Sequence, residues 1–311
     1  MGHQAPAAIR GNWATLLLPI APDQSIDMVR LGVELDAMIA AKVDGIYSNG
    51  TAGEFHNQTE GEYDAIQALL AGRCARAGTP FIVGASHTDP TVAAGRVARA
   101  VALAPRAIQV ILPDWVALSD SEAIDFLMMM REAARGIDLV LYNPPHAKRV
   151  LAPRALARLI AAVPEVVGVK LGDGDAAWYA EARAHLAGVA LFVPGHHLAT
   201  GMREGVAAGA FSNVACINPA AAQRWTDSMA RDLAGALELE GRINRFFESA
   251  ILPFKLQHGY SNAALDKLLA AIGGWAPIGT RLRRPYRWID ESVVPALRRA
   301  AHDVIPELVG G

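Results

Sequence analysis

Short apolar runs alternate with longer amphipathic stretches along most of the chain. The runs fall at residues 15–18, 45–48, 81–84, 108–112, 139–142, 166–170, 190–193 and 210–214. Each is too short for a helix and is bounded by polar or turn-forming residues, which reads as a strand buried on both faces. Between the runs, apolar residues recur at helical spacing, as at Val29, Val33, Ala37 and Ala40 around Asp36. Ser25, Thr59, Asp89, Ser119 and Asp175 precede such stretches as N-caps, and Glu62 after Thr59 completes a capping box. Eight strands alternating with helices predict an α/β chain folded as a (β/α)8 TIM barrel over residues 1–226. Beyond it the strand runs stop. Helical patterns at 227–250, 262–271 and 292–301 predict a C-terminal helical extension, residues 227–311, packed on the barrel or on another subunit. A doubly wound open sheet is the alternative, but no run leads into a GxGxxG or Walker-type loop.

Composition narrows the partners. At 311 residues and 52% hydrophobic, the chain is long enough for a large core. A net charge of −2 gives no general attraction to nucleic acid or to an anionic membrane, so the expected partner is a small molecule. Arg281, Arg283, Arg284 and Arg287 crowd around Tyr286 and Trp288, but no other region is basic, and the segment reads as solvated or interfacial. No apolar stretch approaches the roughly 20 residues of a spanning helix. The N-terminal MGHQAPAAIRGNW lacks the apolar core of a secretory signal, and Pro6 stands where a myristoylation site needs Ser or Thr. Cys74 and Cys216 lie far apart without metal-type spacing and suit a reducing compartment. These features together predict a soluble cytoplasmic protein.

Candidate chemistry lies at the strand ends, where barrel active sites are built. The sixth run, Val166-Val167-Gly168-Val169, ends in Lys170. An ammonium there is either paired, turned out to solvent along its stem, or pushed toward the neutral amine, which is a nucleophile suited to carbonyls. The second run leads into Gly50-Thr51-Ala52-Gly53-Glu54, whose glycines let backbone N–H groups approach an anion, with the Thr51 hydroxyl as a further donor. The fifth ends in Tyr142-Asn143-Pro144-Pro145. Tyr142 is either a core tyrosine or an acid–base group.

Together these segments resemble the dihydrodipicolinate synthase and N-acetylneuraminate lyase family, the pyruvate-type class I aldolases, over essentially the whole chain. The family's GTTGE or GSTGE element is matched by Gly50 to Glu54, its YNxP element by Tyr142, Asn143 and Pro145, and its GxK strand by Gly168 and Lys170. The resemblance implies Lys170 as the Schiff-base lysine, Tyr142 as the proton-relaying phenol and Thr51 as the hydroxyl that links the relay to solvent or to the substrate carboxylate. It also implies a homotetramer. Gly50, Ala52 and Gly53 are then expected around the substrate carboxylate, and Phe211 in the eighth run beside it.

Departures from the family pattern bear on the substrate. Ala52 replaces the second cradle hydroxyl, and Ala147 stands where the synthase branch has an arginine, with Lys148 and Arg149 following as substitutes. Lysine lacks the bidentate fork. Trp115 stands near where that branch places a neighbouring subunit's tyrosine. After the seventh run, Gly195, His196 and His197 occupy the position that shapes the distal pocket, where the histidines suit substrate hydroxyls or proton transfer. A metal site is disfavoured because adjacent rings are expected to point apart, with no third ligand at suitable spacing. The leading reading is a cofactor-independent Schiff-base lyase. It would carry out aldol cleavage, aldol condensation or dehydration of a hydroxylated 2-oxo acid of the keto-deoxy sugar type, other than the dihydrodipicolinate precursors. The alternatives are a metal-dependent hydrolase or class II aldolase on a barrel, and a non-catalytic 2-oxo acid sensor.

Overall fold

Parallel strands must be joined by crossovers, and in this chain helices supply them. The computed structural model describes residues 9–309, so the expected start of the barrel, with Pro6, lies outside the described residues. Strands β1 Gly11–Thr15, β2 Gly45–Tyr47, β3 Phe81–Gly84, β4 Ala107–Ile111, β5 Leu139–Asn143, β6 Val166–Leu171, β7 Ala190–Pro194 and β8 Ala207–Ser212 close into a barrel in sequence order. All neighbours run parallel, and β8 returns to β1 through the pairing of Gly209 with Gly11. Outside run α1 Met28–Ala40, α2 Glu60–Ala77, α3 Pro90–Ala100, α4 Asp120–Ala134, α5 Pro153–Ala162, α6 Ala176–His185 and α7 Leu198–Arg203. The chain is a (β/α)8 TIM barrel with further helices at its C-terminus. Among the described residues no helix is long and apolar enough to cross a membrane.

Several local expectations shift. The first strand is Gly11–Thr15 rather than 15–18. The Leu16–Leu17–Leu18 run is buried, but it sits beyond the strand, where the Leu17 N–H donates to a Glu34 carboxylate oxygen at 2.7 Å. Apolar runs report burial, not pairing. The strand itself was hidden by Asn12 and Thr15, polar residues buried in the closed barrel. The eighth strand begins at Ala207, because small residues there let β8 approach β1: a Cβ on Gly209 would stand 2.2 Å from the Gly11 carbonyl oxygen. The N-cap of α1 is Asp27, while Ser25 bonds to Asp23. Thr59, Asp89, Ser119 and Asp175 cap α2, α3, α4 and α6, and Thr59 with Glu62 forms the capping box. On α1 the buried stripe is Leu31, Leu35 and Met38, whereas Val29 and Val33 face outward. Both stripes have the helical period, and the more apolar one turns inward.

After β8 the chain continues as α8 Val214–Ile217, α9 Pro219–Ser228, α10 Leu233–Phe246, a π turn Phe247–Ile251, α11 Leu252–Leu256, α12 Asn262–Gly273, α13 Val294–Val304 and α14 Pro306–Val309. Residue 226 falls inside α9. One buried cluster joins Ala14, Val169 and Leu191 of the barrel to Ile243, Leu268, Ile272 and Leu308 of these helices. The arginine-rich segment is held internally: Arg283 pairs with Glu62 at 2.8 Å, and Arg281 lies over the Trp288 ring at 4.7 Å.

One ionic contact fastens the extension to the barrel mouth. Lys267 on α12 donates to Glu54 at 2.6 Å and to the Arg281 carbonyl at 2.7 Å, and both charged side chains are buried. Glu54 also accepts from the Arg283 N–H at 3.2 Å. Breaking a buried pair from one side strands the other charge. Lys267→Met is therefore expected to lose about 3–5 kcal/mol of stability in urea unfolding, and Lys267→Met/Glu54→Gln to lose much less. Equal losses in the single and double variants would show that the pair is uncoupled.

Candidate functional site

The inner faces of four strands converge on one amine. Lys170 on β6 stands beside Tyr142 on β5 in the sheet register, and its Nζ lies 4.3 Å from the centre of the Tyr142 ring. The Tyr47 ring on β2 is 4.5 Å away and the Phe211 ring on β8 is 5.3 Å away. Beneath them Trp13, Ile82, Val140 and Phe192 fill the barrel interior, with Phe192 and Phe211 centred 4.7 Å apart. This aromatic plug excludes water from below. The amine donates one hydrogen bond, to the Tyr47 hydroxyl at 2.7 Å. Burial lowers the Lys170 pKa to about 7, and Asp266 opposes that shift.

Tyr142 is buried, and its hydroxyl lies 3.4 Å from that of Thr51. Burial raises the phenol's pKa, and the Thr51 contact pulls it back. Thr51 and Ala52 line a small cavity with Lys170, Tyr142 and Phe211. Gly50 and Gly53 serve it indirectly. A Cβ on Gly50 would sit 2.7 Å from the Tyr47 hydroxyl, and one on Gly53 2.9 Å from the Asn49 nitrogen. The loop folds tightly only without them.

A wider cavity of about 520 Å³ opens from Lys170 between β6, β7 and the C-terminal helices. Leu171, Val193, Phe247, Ile251, Leu252 and Leu265 give it apolar walls, with Asn244, Glu248, His196 and His197 among the polar groups. The π turn aims Phe247, Glu248 and Ile251 at this space, a use to which such irregular turns are often put. A larger depression of about 750 Å³, lined by Ile9, Val167, Ala190 and Ala207, lies away from Lys170 and does not include it.

The histidine rings do not point apart. They pack with centroids 4.3 Å from each other, because the Gly195–His197 turn carries both toward the same cavity. Their states differ. His197 Nδ1 lies 2.8 Å from Asp173, which raises its pKa, while burial lowers that of His196 to about 4. Burial works against ionised Asp173, yet its bonds with His197 and Tyr179 hold the carboxyl below the usual range. Gly195 stands behind this pair, where a Cβ would come within 2.6 Å of the Ser212 hydroxyl oxygen. Among the described residues no group of three or more His, Cys, Asp or Glu side chains is arranged to hold a metal ion.

The structure thus brings Thr51, Ala52, Tyr142, Lys170, His196, His197 and Phe211 to one mouth. Lys148, expected near the substrate, is placed elsewhere: its ammonium donates to the Trp115 carbonyl at 2.6 Å and sits outside both cavities that hold Lys170. Arg149 is likewise committed, to the Leu118 carbonyl at 2.6 Å and to Asp120. Tyr47, Asp173, Asn213, Asn262 and Asp266 were not anticipated. Tyr47 and Asp173 sit at or just beyond strand ends and were within reach of the strand-end rule; Asn262 and Asp266 come from a helix with no local signal.

The profile of the dihydrodipicolinate synthetase family matches residues 8–303. A trans-O-hydroxybenzylidenepyruvate hydratase-aldolase of Sphingobium xenophagum is 29% identical over 175 residues, 53% of this chain and 52% of that protein. The chain thus spans about half the length of that relative. A 4-hydroxy-tetrahydrodipicolinate synthase of Xanthomonas axonopodis pv. citri (strain 306) is 29% identical over 314 residues, 96% of this chain and 95% of that one. In fold the chain is similar to YagE, a dihydrodipicolinic acid synthase family protein of E. coli K12 solved with pyruvate, at TM-score 0.82 and 18% identity, covering 96% and 99% of the two chains.

An amine with a pKa of about 7 is charged below that pH and neutral above it. Acetylation of Lys170 by a small anhydride, followed by peptide mass analysis, is expected to reach half its maximal rate near pH 7 rather than near the ordinary lysine value. Tyr47→Phe removes an acceptor that favours the ammonium, so the midpoint should move to lower pH. A midpoint above 9 in the unmodified protein would refute the neutral-amine description.

Proposed function

The chain belongs to the dihydrodipicolinate synthetase family, and on that premise we propose that it is a class I lyase that forms a Schiff base between Lys170 and the C2 carbonyl of a 2-oxo acid. The observation that carries this reading is the Lys170 amine, lowered to a pKa of about 7 by burial and flanked by the Tyr142 phenol. The neutral amine attacks C2, and Tyr142 with Thr51 moves the proton from nitrogen to the departing oxygen. The iminium then acts as an electron sink. In a 4-hydroxy substrate, loss of the C4 hydroxyl proton breaks the C3–C4 bond, releases an aldehyde and leaves an enamine. Protonation at C3 and hydrolysis complete the cycle.

The backbone around Thr51 and Ala52 is the proposed carboxylate cradle, with Phe211 below it. Ala52 brings no second hydroxyl, Lys148 is bonded to Trp115, and Arg149, though it lines a small cavity with Thr51 and Tyr142, is committed to Leu118 and Asp120, so the groups expected for dihydrodipicolinate precursors are lacking or engaged. The apolar walls supplied by Phe247, Ile251, Leu252 and Leu265 favour an aryl or alkyl aldehyde half over the polyhydroxy chain expected from the histidines. Relatives named hydratase-aldolases on a benzylidenepyruvate point the same way. His197, held by Asp173, is left to meet a single polar group on that half.

Incubation with pyruvate and sodium borohydride is expected to give a covalent adduct on Lys170, absent from Lys170→Ala by intact mass. Tyr142→Phe should slow turnover by roughly 10²- to 10⁴-fold with the fold intact. Among 4-hydroxy-2-oxo acids, kcat/KM should favour an aryl tail over a polyol tail by about 10-fold or more, since one buried ring contributes roughly 1.5–3 kcal/mol. No lysine-dependent adduct with any 2-oxo acid would end the Schiff-base reading, and a polyol preference would overturn the substrate class alone.

The homotetramer is also proposed. Trp115 and Val116, 83% and 72% exposed in the loop between β4 and α4, form an apolar tip that association would cover. Light scattering at micromolar concentration should give four times the chain mass, and a monomer would count against it.

A further inference from the structure

Of the ionisable groups in the reaction cavity that have no part in the Schiff-base chemistry, one lines both spaces that hold Lys170. Asp266 lies on α12, one turn beyond Asn262, and lines both cavities that contain Lys170 and Phe211. Burial raises the pKa of its carboxyl to about 7, Lys170 and Lys255 oppose this through charge, and no hydrogen bond from a described residue contributes. A half-buried carboxyl that faces a cavity with no hydrogen-bond partner among the described residues, beside a perturbed amine, points to chemistry. Its neighbour Lys267 is turned the other way, onto Glu54 beneath the cradle loop. A single turn of α12 therefore braces the loop and presents an acid to the amine.

We propose that Asp266 is the proton donor for Schiff-base formation at Lys170 and the counter-ion of the iminium that results. The proposal rests on the Schiff-base reading. In the reactive form the site holds one proton for the two groups, as a neutral amine and, across the same cavity, a neutral carboxylic acid. Attack of the amine on C2 gives a carbinolamine. One amine proton passes to the carbinolamine oxygen through the Tyr142–Thr51 relay, a second proton comes from the Asp266 carboxyl, and the oxygen leaves as water. Nitrogen keeps its last hydrogen and a positive charge, Asp266 is left as a carboxylate, and the site's net charge is unchanged. Hydrolysis of the product iminium reverses each transfer.

This arrangement explains how an iminium is tolerated in so apolar a setting. A cation formed among Tyr47, Tyr142 and Phe211 would otherwise be unpaired. The other ionisable groups are differently engaged. Lys255 on α11 is bonded to Asn262 at 2.9 Å, His197 is tied to Asp173, and burial holds His196 neutral. Glu248 lines the distal cavity, and burial raises the Cys216 thiol and the Tyr47 phenol well above their ordinary values.

The test measures the rate of the borohydride-trapped pyruvate adduct between pH 5.5 and 8.5 by quenched intact mass. The unmodified protein should show a bell with its maximum near pH 7, falling when the pair gains a second proton and again when it loses its last. Asp266→Asn should lower the rate at pH 7 by about 10²-fold, abolish the alkaline fall and move the acid limb to lower pH, because the attracting carboxylate is gone. Asp266→Glu should keep both limbs. Melting temperatures report folding, and exchange of this half-buried carboxyl should leave them close to that of the unmodified protein. Asp266→Ala provides an independent arm, in which added formate should restore the rate in proportion to its concentration. An Asp266→Asn protein with unchanged rate and alkaline limb, or a formate-insensitive Asp266→Ala, would overturn the role of Asp266 while leaving the Schiff base in place. No adduct from the unmodified protein with any 2-oxo acid would remove both.

Discussion

An amine can attack a carbonyl near neutral pH only if something removes its charge, and here that something is the loss of water around Lys170. The barrel supplies it by geometry. Inward-facing residues of a closed barrel have nowhere to go but its axis, so Trp13, Phe192 and Phe211 form a plug and the lysine stands on top of it. The three π faces around the amine favour the ammonium, and Asp266 does too, yet desolvation prevails and the pKa comes down to about 7. That balance keeps the amine within reach of both protonation states.

The C-terminal helices are part of the same device. Without α12, the Glu54 carboxylate at the edge of the cradle loop would lose its counter-ion, and the loop carrying Thr51 would lose that support. Without α10, α11 and the π turn between them, the cavity beyond Lys170 would lack its apolar wall. Reaction centre, cradle and distal pocket thus depend on one set of contacts between barrel and extension. Buried residues of the cradle and the distal pocket accordingly fall in one cluster, while the aromatic plug and Tyr142 form clusters of their own.

Electrostatic roles within the mouth are divided by burial and partner rather than by residue type. Two adjacent histidines differ because Asp173 raises the pKa of one, while burial and the neighbouring His197 lower that of the other against its contact with Asn213. Two carboxyls, Asp173 and Asp266, move in opposite directions because only the first accepts hydrogen bonds. Such separation of like groups is how a small site supplies both acid and base at one pH.

Much of this was legible in the chain. The alternation of runs and capped helices fixes the barrel, since period and cap chemistry are local properties. Gly168–Lys170, Tyr142 and Thr51 mark the mouth, because each lies at or just beyond a strand end. The strand bounds of β1 and β8 are not legible there, because polar residues inside a barrel and small residues at a close strand contact carry no apolar signal. Which stripe of α1 turns inward, where Lys148 points and how the histidine rings pack depend on neighbours distant in sequence. So does Asp266: nothing near it in the chain distinguishes it from a solvent-facing helix aspartate, and only the docking of α12 onto the barrel brings its carboxyl to the cavity that holds the amine. Local sequence determined the strands and the residues at their ends; long-range packing alone decided which of those groups share a cavity and what charge each carries there.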